Sequence, residues 1–93
     1  MKSDPPEELS GLTRKIDSAK TPEELANIGA GELENLLAAD DAANYVAYVL
    51  EMARKDKNWR FTLGCVWMNG FKDKGVAEKV RAAIKLYFPD GTP

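Results

Sequence analysis

The sequence contains no histidine and only one cysteine among its 93 residues. Without histidine, neither a Ser-His or Cys-His nucleophile nor a histidine-ligated metal site can form. One cysteine cannot form an intramolecular disulfide, so the fold does not depend on an oxidising compartment, and a cytoplasmic location is expected. Cys65 lies in an apolar stretch away from any obvious base, which favours a packed structural thiol over a reactive one. We therefore expect no enzymatic activity and no cofactor.

Long hydrophobic runs are also missing. The N-terminal stretch "MKSDPPEEL" has acids and prolines where a signal peptide would have an apolar run, and the longest charge-free apolar stretch, residues 61–71, is too short to span a bilayer. Neither export nor membrane insertion is expected. The length fits one domain, residues 1–93, and the composition of 44% hydrophobic and 30% charged residues is typical of an ordinary globular protein.

The charges are unevenly distributed along the chain, although the formal net charge is only −2. Residues 1–50 carry 4 basic and 10 acidic residues, a net −6, whereas residues 51–93 carry 9 basic and 5 acidic residues, a net +4. Such a distribution would steer partners of opposite sign to different faces of the protein.

Helix start signals occur at several points. Asp4 stands directly before two prolines and two glutamates, which predicts an N-cap for a first helix. Thr21 and Pro22 repeat this arrangement, and Glu24 completes a capping box. Asp40 is a plausible cap for the segment "DDAANYVAYVLEMARK".

Apolar residues recur at helical spacing in most of the chain. Two glycines within residues 29–31 predict a break after the second helix. The last helix should end before Pro89 and leave a loose tail, residues 89–93. The residues expected to face the core are Leu9, Leu12, Ile16, Ala19, Leu33, Leu36, Leu37, Ala42, Tyr45, Val46, Tyr48, Val49, Leu50, Met52, Ala53, Val76, Val80, Ala83, Ile84 and Tyr87.

The segment 58–70, "NWRFTLGCVWMNG", can be interpreted in two ways. Its odd positions from 59 to 67 are apolar, which is typical of a strand, and "NG" is a strong hairpin turn. A strand would have no partner within the chain, so we predict a helix over 58–69 that stops at Asn69 and Gly70. Its apolar residues form two arcs, which predicts a helix packed between two layers or against another protein. The first arc holds Trp59, Leu63, Val66 and Trp67, and the second holds Phe61, Cys65 and Met68.

Two segments together resemble a small bacterial domain family of unknown function. They are "IGAGELENLL" and, some twenty residues later, "ARKDKNWRFTLGCVWMNG", which follow the pattern of a Gly-Ala-Gly turn, LExLL and ARxDxxFRxxLxxVW. The resemblance covers about residues 25–84. It implies an all-helical fold and carries over no activity, cofactor or catalytic residue. Trp59 stands where the pattern usually has Phe, and the acidic residue often found near the middle of the long helix has no obvious counterpart.

The expected architecture is a compact all-α bundle of five or six short helices. For function, we expect a non-enzymatic protein-interaction module, of the inhibitor or immunity type, that binds a protein partner. The alternative is a nucleic-acid-associated protein that uses the basic C-terminal half. The oligomeric state stays open. The candidate interaction surface consists of Arg54, Lys55, Lys57, Arg60, Phe61, Met68, Lys79, Arg81 and Lys85.

Overall fold

The computed structural model describes residues 7–66 and 70–90, with side chains from residue 9 onward. Within these residues the protein is an all-α bundle of five helices, which confirms the predicted fold class. The helices are α1 (Glu7–Ser18), α2 (residues 22–38), α3 (Val46–Lys55), α4 (Lys57–Gly64) and α5 (Lys74–Tyr87). The described part of the chain contains no strand, so the strand interpretation of residues 58–66 is wrong.

The helix α4 lies at the centre of the bundle. It packs against each of the other four helices, and Trp59 on its core side is completely buried. Tyr48 from α3 meets the Trp59 ring edge-on, with the ring centroids 6.4 Å apart. The buried apolar core is formed by Leu9, Leu12, Ile16, Leu25, Leu33, Leu37, Ala42, Val46, Val49, Ala53, Trp59, Leu63, Val66, Val76, Val80 and Ile84.

The start of α2 has the predicted capping arrangement. The hydroxyl oxygen of Thr21 accepts a hydrogen bond from the backbone N–H of Glu24, and Pro22 occupies the first helical position. The Glu24 carboxylate accepts a hydrogen bond from the backbone N–H of Lys20 at 2.6 Å, one residue earlier than in a standard capping box. The sequence signal is therefore confirmed, with a small shift in the reciprocal contact.

The predicted break at residues 29–31 is wrong, because α2 continues through both glycines. Gly29 has helical backbone angles, and residues Gly29–Leu33 form one π-helical turn in which the Glu34 N–H bonds to the Gly29 carbonyl. Gly29 is buried against α4, where a Cβ atom would overlap the carbonyl oxygen of Thr62. The glycine thus permits close helix packing instead of ending the helix.

The predicted cap at Asp40 is also wrong. A 3₁₀ turn, Ala42–Asn44, comes first, and α3 begins only at Val46, without a side-chain cap. The exposed Asp40 carboxylate instead lies 3.5 Å from the ammonium group of Lys72. Ala42 in this 3₁₀ turn is buried, and the chain continues from the turn into α3.

The helix predicted over residues 58–69 is shorter than expected. It ends at Gly64, where Cys65 leaves the helical conformation and its N–H bonds to the Thr62 carbonyl in a tightened last turn. Val66 remains buried although it lies beyond the helix. The predicted stop at Asn69, and the positions of Trp67 and Met68, lie outside the described residues.

The last helix, α5, begins at Lys74, where the Asp73 carboxylate caps two backbone N–H groups, and ends at Tyr87 as the following Pro89 predicts. The proposed cap at Asp4 lies outside the described residues. None of the helices in residues 7–66 and 70–90 is long and apolar enough to cross a membrane.

Candidate functional site

A groove of about 410 Å³ opens where the start of α2, the outer face of α4 and the end of α5 meet. A volume of this size is within the range of small-molecule and peptide pockets, about 300–1,000 Å³. We call it the basic groove, because two cations and no acid line it. Its lining residues are Pro22, Leu25, Lys57, Asn58, Arg60, Phe61, Tyr87 and Phe88.

The apolar part of the basic groove comes from the second apolar face of α4. Phe61 packs partly against the core and leaves part of its ring in the groove. Tyr87 and Phe88 arrive from the end of α5, because that helix terminates one turn beyond the buried Ile84. The helical wheel predicts that Phe61 faces either a second layer of this chain or another protein. In the structure, Phe61 contacts the core and lines a surface groove.

Arg60 is held in a fixed position at the edge of the groove. Its Nε–H donates to the carbonyl oxygen of Ala53 at 3.0 Å, and an Nη2–H donates to that of Arg54 at 2.9 Å. Both acceptors are at the end of α3, where backbone carbonyls lack helical partners. The guanidinium also lies over the Tyr87 ring, 5.0 Å from its centroid, in a cation–π contact.

Lys57 contributes a second cation at the first position of α4. Its side chain is exposed, and no acidic group forms an ion pair with it among the described residues. A cation is locally unfavourable here, because the N-terminal end of a helix already carries a positive partial charge. The Asp56 carboxylate is committed to capping, since it accepts hydrogen bonds from the N–H groups of Asn58 and Trp59. The groove edge is therefore electropositive.

Two other predicted residues, Arg54 and Lys55, lie beside the groove at the end of α3 and interact with Glu51. The Arg54 guanidinium contacts the Glu51 carboxylate at 2.6 Å, and the Lys55 ammonium lies 3.9 Å from it. The hydrogen bond from Arg54 holds the pKa of Glu51 below its ordinary value and raises the pKa of Arg54. These two cations are partly neutralised within their own helix.

The remaining predicted cations lie on α5 and do not share one face. Arg81 and Lys85 are four residues apart and lie on the same exposed stripe, whereas Lys79 is two residues from Arg81 and points to another side of the helix. Leu86, two turns after Lys79 on the same side of α5, is 74% exposed. Met68, also part of the predicted surface, lies outside the described residues.

A second groove of about 480 Å³ lies elsewhere on the bundle and is acidic. Its two carboxylates already have partners: Lys15 donates to Glu32 at 2.7 Å, and the Tyr45 hydroxyl donates to Asp41 at 3.1 Å. By contrast, the basic groove has an ammonium group and a guanidinium edge with no acidic partner among the described residues. We therefore regard the basic groove as the better candidate site.

Cys65, the single cysteine of the sequence, lies just beyond the end of α4. The Cys65 thiol is half-buried, and burial raises its pKa, which lowers its nucleophilic fraction at neutral pH. No group of three or more Cys, Asp or Glu side chains in residues 9–66 and 70–90 is placed to hold a metal ion.

Sequence reasoning identified Lys57, Arg60 and Phe61 but missed the rest of the groove. The helical spacing places Tyr87 on the core stripe of the last helix and predicts nothing about Phe88. The adjacent rings of Tyr87 and Phe88, directly before Pro89, indicate an aromatic surface patch, because a helix that ends at the surface exposes its last side chains. Pro22 and Asn58 carried no comparable signal.

Residues 1–86 match the family of unknown function DUF6869, and the chain belongs to that family. No curated protein and no solved structure resembles the chain closely enough for a comparison.

Proposed function

We propose that this member of a family of unknown function is a non-enzymatic protein-interaction module, of the inhibitor or immunity type, and that the basic groove is its binding surface. One observation carries the proposal: an apolar groove floor lies directly beside two cations that have no acidic partner among the described residues. Protein interfaces are enriched in aromatic residues and in Arg. The single half-buried thiol supports our placing the protein in the cytoplasm.

Charge defines the partner that the groove would favour. The edge of the groove is electropositive, and the surrounding part of the chain, residues 51–93, has a net charge of +4. An acidic protein surface with a protruding apolar side chain would complement both the cations and the ring-lined floor. Association would then be faster at low ionic strength, because opposite charges steer the encounter.

Site-specific photo-crosslinking tests the proposal in the native cell. A photoreactive amino acid replaces the exposed Lys57 at the groove, and in a matched control it replaces the exposed Ala43 in the 3₁₀ turn after the opposite end of α2. A genuine groove partner should be captured from position 57 and not from position 43. Equal capture at both positions, or none at position 57, would contradict the proposal.

Purified components then test whether capture reflects specific binding. Lys57→Glu should weaken binding of the captured partner by about tenfold, because it reverses a charge at the interface. Lys79→Glu makes the same charge change on another side of α5, outside the groove, and should weaken binding by less than about twofold. Equal losses for the two variants would show a general charge effect and not a groove interface.

A second candidate function is association with nucleic acid. The observation that favours it is the exposed stripe on α5 that holds Lys74, Arg81 and Lys85, although Glu78 lies among them. Aromatic rings beside cations could also stack on unpaired bases. Fluorescence anisotropy with a single-stranded oligonucleotide would test this function, because true binding must weaken steeply as salt is raised.

A further inference from the structure

We infer that the basic groove recognises a carboxylate positioned beside an apolar side chain, and that the guanidinium of Arg60 receives this carboxylate. The inference rests on the groove being the binding surface proposed above. It goes further by naming the chemical group of the partner and the atoms that contact it.

The hydrogen bonds of Arg60 leave one edge of its guanidinium uncommitted. A guanidinium has five N–H groups, one on Nε and two on each Nη. The inner edge, formed by Nε and Nη2, donates to the carbonyl oxygens of Ala53 and Arg54. One N–H of Nη1 and the second N–H of Nη2 form the outer edge, and the remaining N–H of Nη1 points back toward the Cδ side of the group. The outer edge meets no acceptor among the described residues, and its two parallel N–H directions match the two oxygens of a carboxylate.

The inner contacts also prepare Arg60 for binding. An arginine that is free in solvent loses rotamer entropy when it binds a ligand. Arg60 is already immobilised by two carbonyl oxygens and by the Tyr87 ring 5.0 Å away. Most of the loss of side-chain entropy therefore occurs on folding. An incoming carboxylate then binds a guanidinium that already has a fixed orientation.

The neighbouring residues explain why the carboxylate should be accompanied by an apolar group. Lys57, at the start of the same helix, adds a second positive charge one turn before Arg60. On the other side, Phe61 and Phe88 supply ring surface that remains partly exposed to water. A ligand with a carboxylate and a large apolar side chain gains from both, whereas an acidic chain without an apolar residue leaves the ring surface uncovered.

Two small probes test the inference on the full-length protein by nuclear magnetic resonance. N-acetylphenylalanine carries a carboxylate beside a ring, and its C-terminal amide has the same shape without the charge. The acid should shift the Arg60 Nε–H signal and the amide signals of Asn58 and Phe61, with a dissociation constant of about 1 mM for a ligand of this size. The amide should bind about fivefold more weakly, which corresponds to a partly exposed ion pair. Equal binding of acid and amide would overturn the inference.

Two variants locate the group that discriminates between the probes. Arg60→Lys keeps the charge but removes the planar outer edge, so the preference for the acid should fall to about twofold or less. Lys57→Gln removes a charge but leaves Arg60 intact, so a clear preference should remain. An undiminished preference of the Arg60→Lys variant for the acid probe would overturn the assignment. The comparison of the two probes on the native protein does not require any variant to fold.

A competition experiment distinguishes a protein partner from nucleic acid. Its outcomes also separate the test of this inference from the test of the proposed function. A short acidic peptide with one phenylalanine should displace the acid probe, whereas displacement only by a single-stranded oligonucleotide would overturn the carboxylate assignment in favour of phosphate. If crosslinking recovers a groove partner but acid and amide probes bind equally, the proposed function stands and this inference fails. If the acid probe binds selectively but no groove partner is captured, the proposed function fails and the carboxylate site stands.

Discussion

Gly29 in α2 lies directly against the backbone carbonyl of Thr62 in α4. A Cβ atom at position 29 would overlap the Thr62 oxygen and lie 3.0 Å from the Cβ of Cys65. The two helices can approach this closely only because glycine has no side chain. Leu25 and Leu33, on either side of Gly29 in α2, are both buried. The contact therefore helps to set the position of α2 against the central helix.

Substitution of the two glycines of this segment should have opposite effects on stability. Gly29→Ala should lower the free energy of unfolding by about 2 kcal/mol, because the new methyl group meets backbone that cannot move freely. Gly31→Ala meets nothing within 4 Å and should raise it by about 0.5–1 kcal/mol through higher helix propensity. Urea denaturation followed by circular dichroism measures both values. A Gly29→Ala variant at least as stable as the native protein would contradict the close approach at Gly29, and a destabilised Gly31→Ala would contradict the open space at Gly31.

The same glycines show why the sequence predicted the helices better than their boundaries. Periodicity and caps identified Leu9, Thr21 and Val80 in their correct roles, because those signals are local. Whether Gly29 ends a helix or packs against another helix depends on a residue 33 positions later in the sequence, Thr62. Nothing in a single sequence reports such a contact, so the break was predicted wrongly.

Trp59 carries a buried polar atom without a hydrogen-bond partner. The indole Nε1 is inaccessible to water, and no acceptor contacts it among the described residues. Burying an unpaired donor costs about 1–3 kcal/mol. Trp59→Phe removes this cost while it keeps a ring in the core, so the net loss of stability should not exceed about 1.5 kcal/mol.

Trp59→Ala is the matched variant, and it should cost about 3–5 kcal/mol because it leaves a large cavity. Both values come from urea denaturation followed by circular dichroism. A Trp59→Phe variant as unstable as Trp59→Ala would show that the indole N–H does find an acceptor in solution.

The contact between Arg60 and Tyr87 should be measurable as a coupling energy. In a double-mutant cycle with Arg60→Gln and Tyr87→Leu, the other contacts of each residue cancel, and about 0.5–1 kcal/mol should remain for a partly exposed cation–π pair. Tyr87→Phe keeps the ring and should leave the coupling nearly unchanged. A coupling energy of zero would show that the Tyr87 ring does not help to hold Arg60 in position.

Only part of the candidate site could be predicted from the sequence, again because a contact between distant residues leaves no local signal. Charge clustering indicated Lys57 and Arg60, and the helical wheel indicated Phe61, because all three are close together in the chain. Tyr87 joins them only through the packing of α5 against α4. Charge clustering also does not distinguish Arg54 from Arg60, although Arg54 is paired with Glu51 and Arg60 has a free guanidinium edge among the described residues.

Cys65 offers a test of whether the outer face of α4 is covered by the chain itself. The thiol is half-buried at the end of α4, close to Gly29 of α2, and burial raises its pKa above the usual 9.0. Since the thiolate is the reactive form, a disulfide reagent should label the native protein much more slowly at pH 8 than the urea-unfolded protein. Labelling at the unfolded rate would mean that the thiol is open to solvent.

The raised pKa of Cys65 also predicts how stability changes with pH. A group that holds its proton more tightly when folded stabilises the protein below its unfolded pKa, and this contribution is lost as the pH rises through the higher folded value. The loss therefore begins near pH 9 and continues above it. Other residues titrate in this range, so the measurement compares the native protein with Cys65→Ala, which lacks the thiol. The urea midpoint of the native protein should fall relative to that of Cys65→Ala as the pH rises above about 9. A constant difference between the two midpoints would show that the folded protein tolerates a thiolate at Cys65 as readily as the unfolded chain.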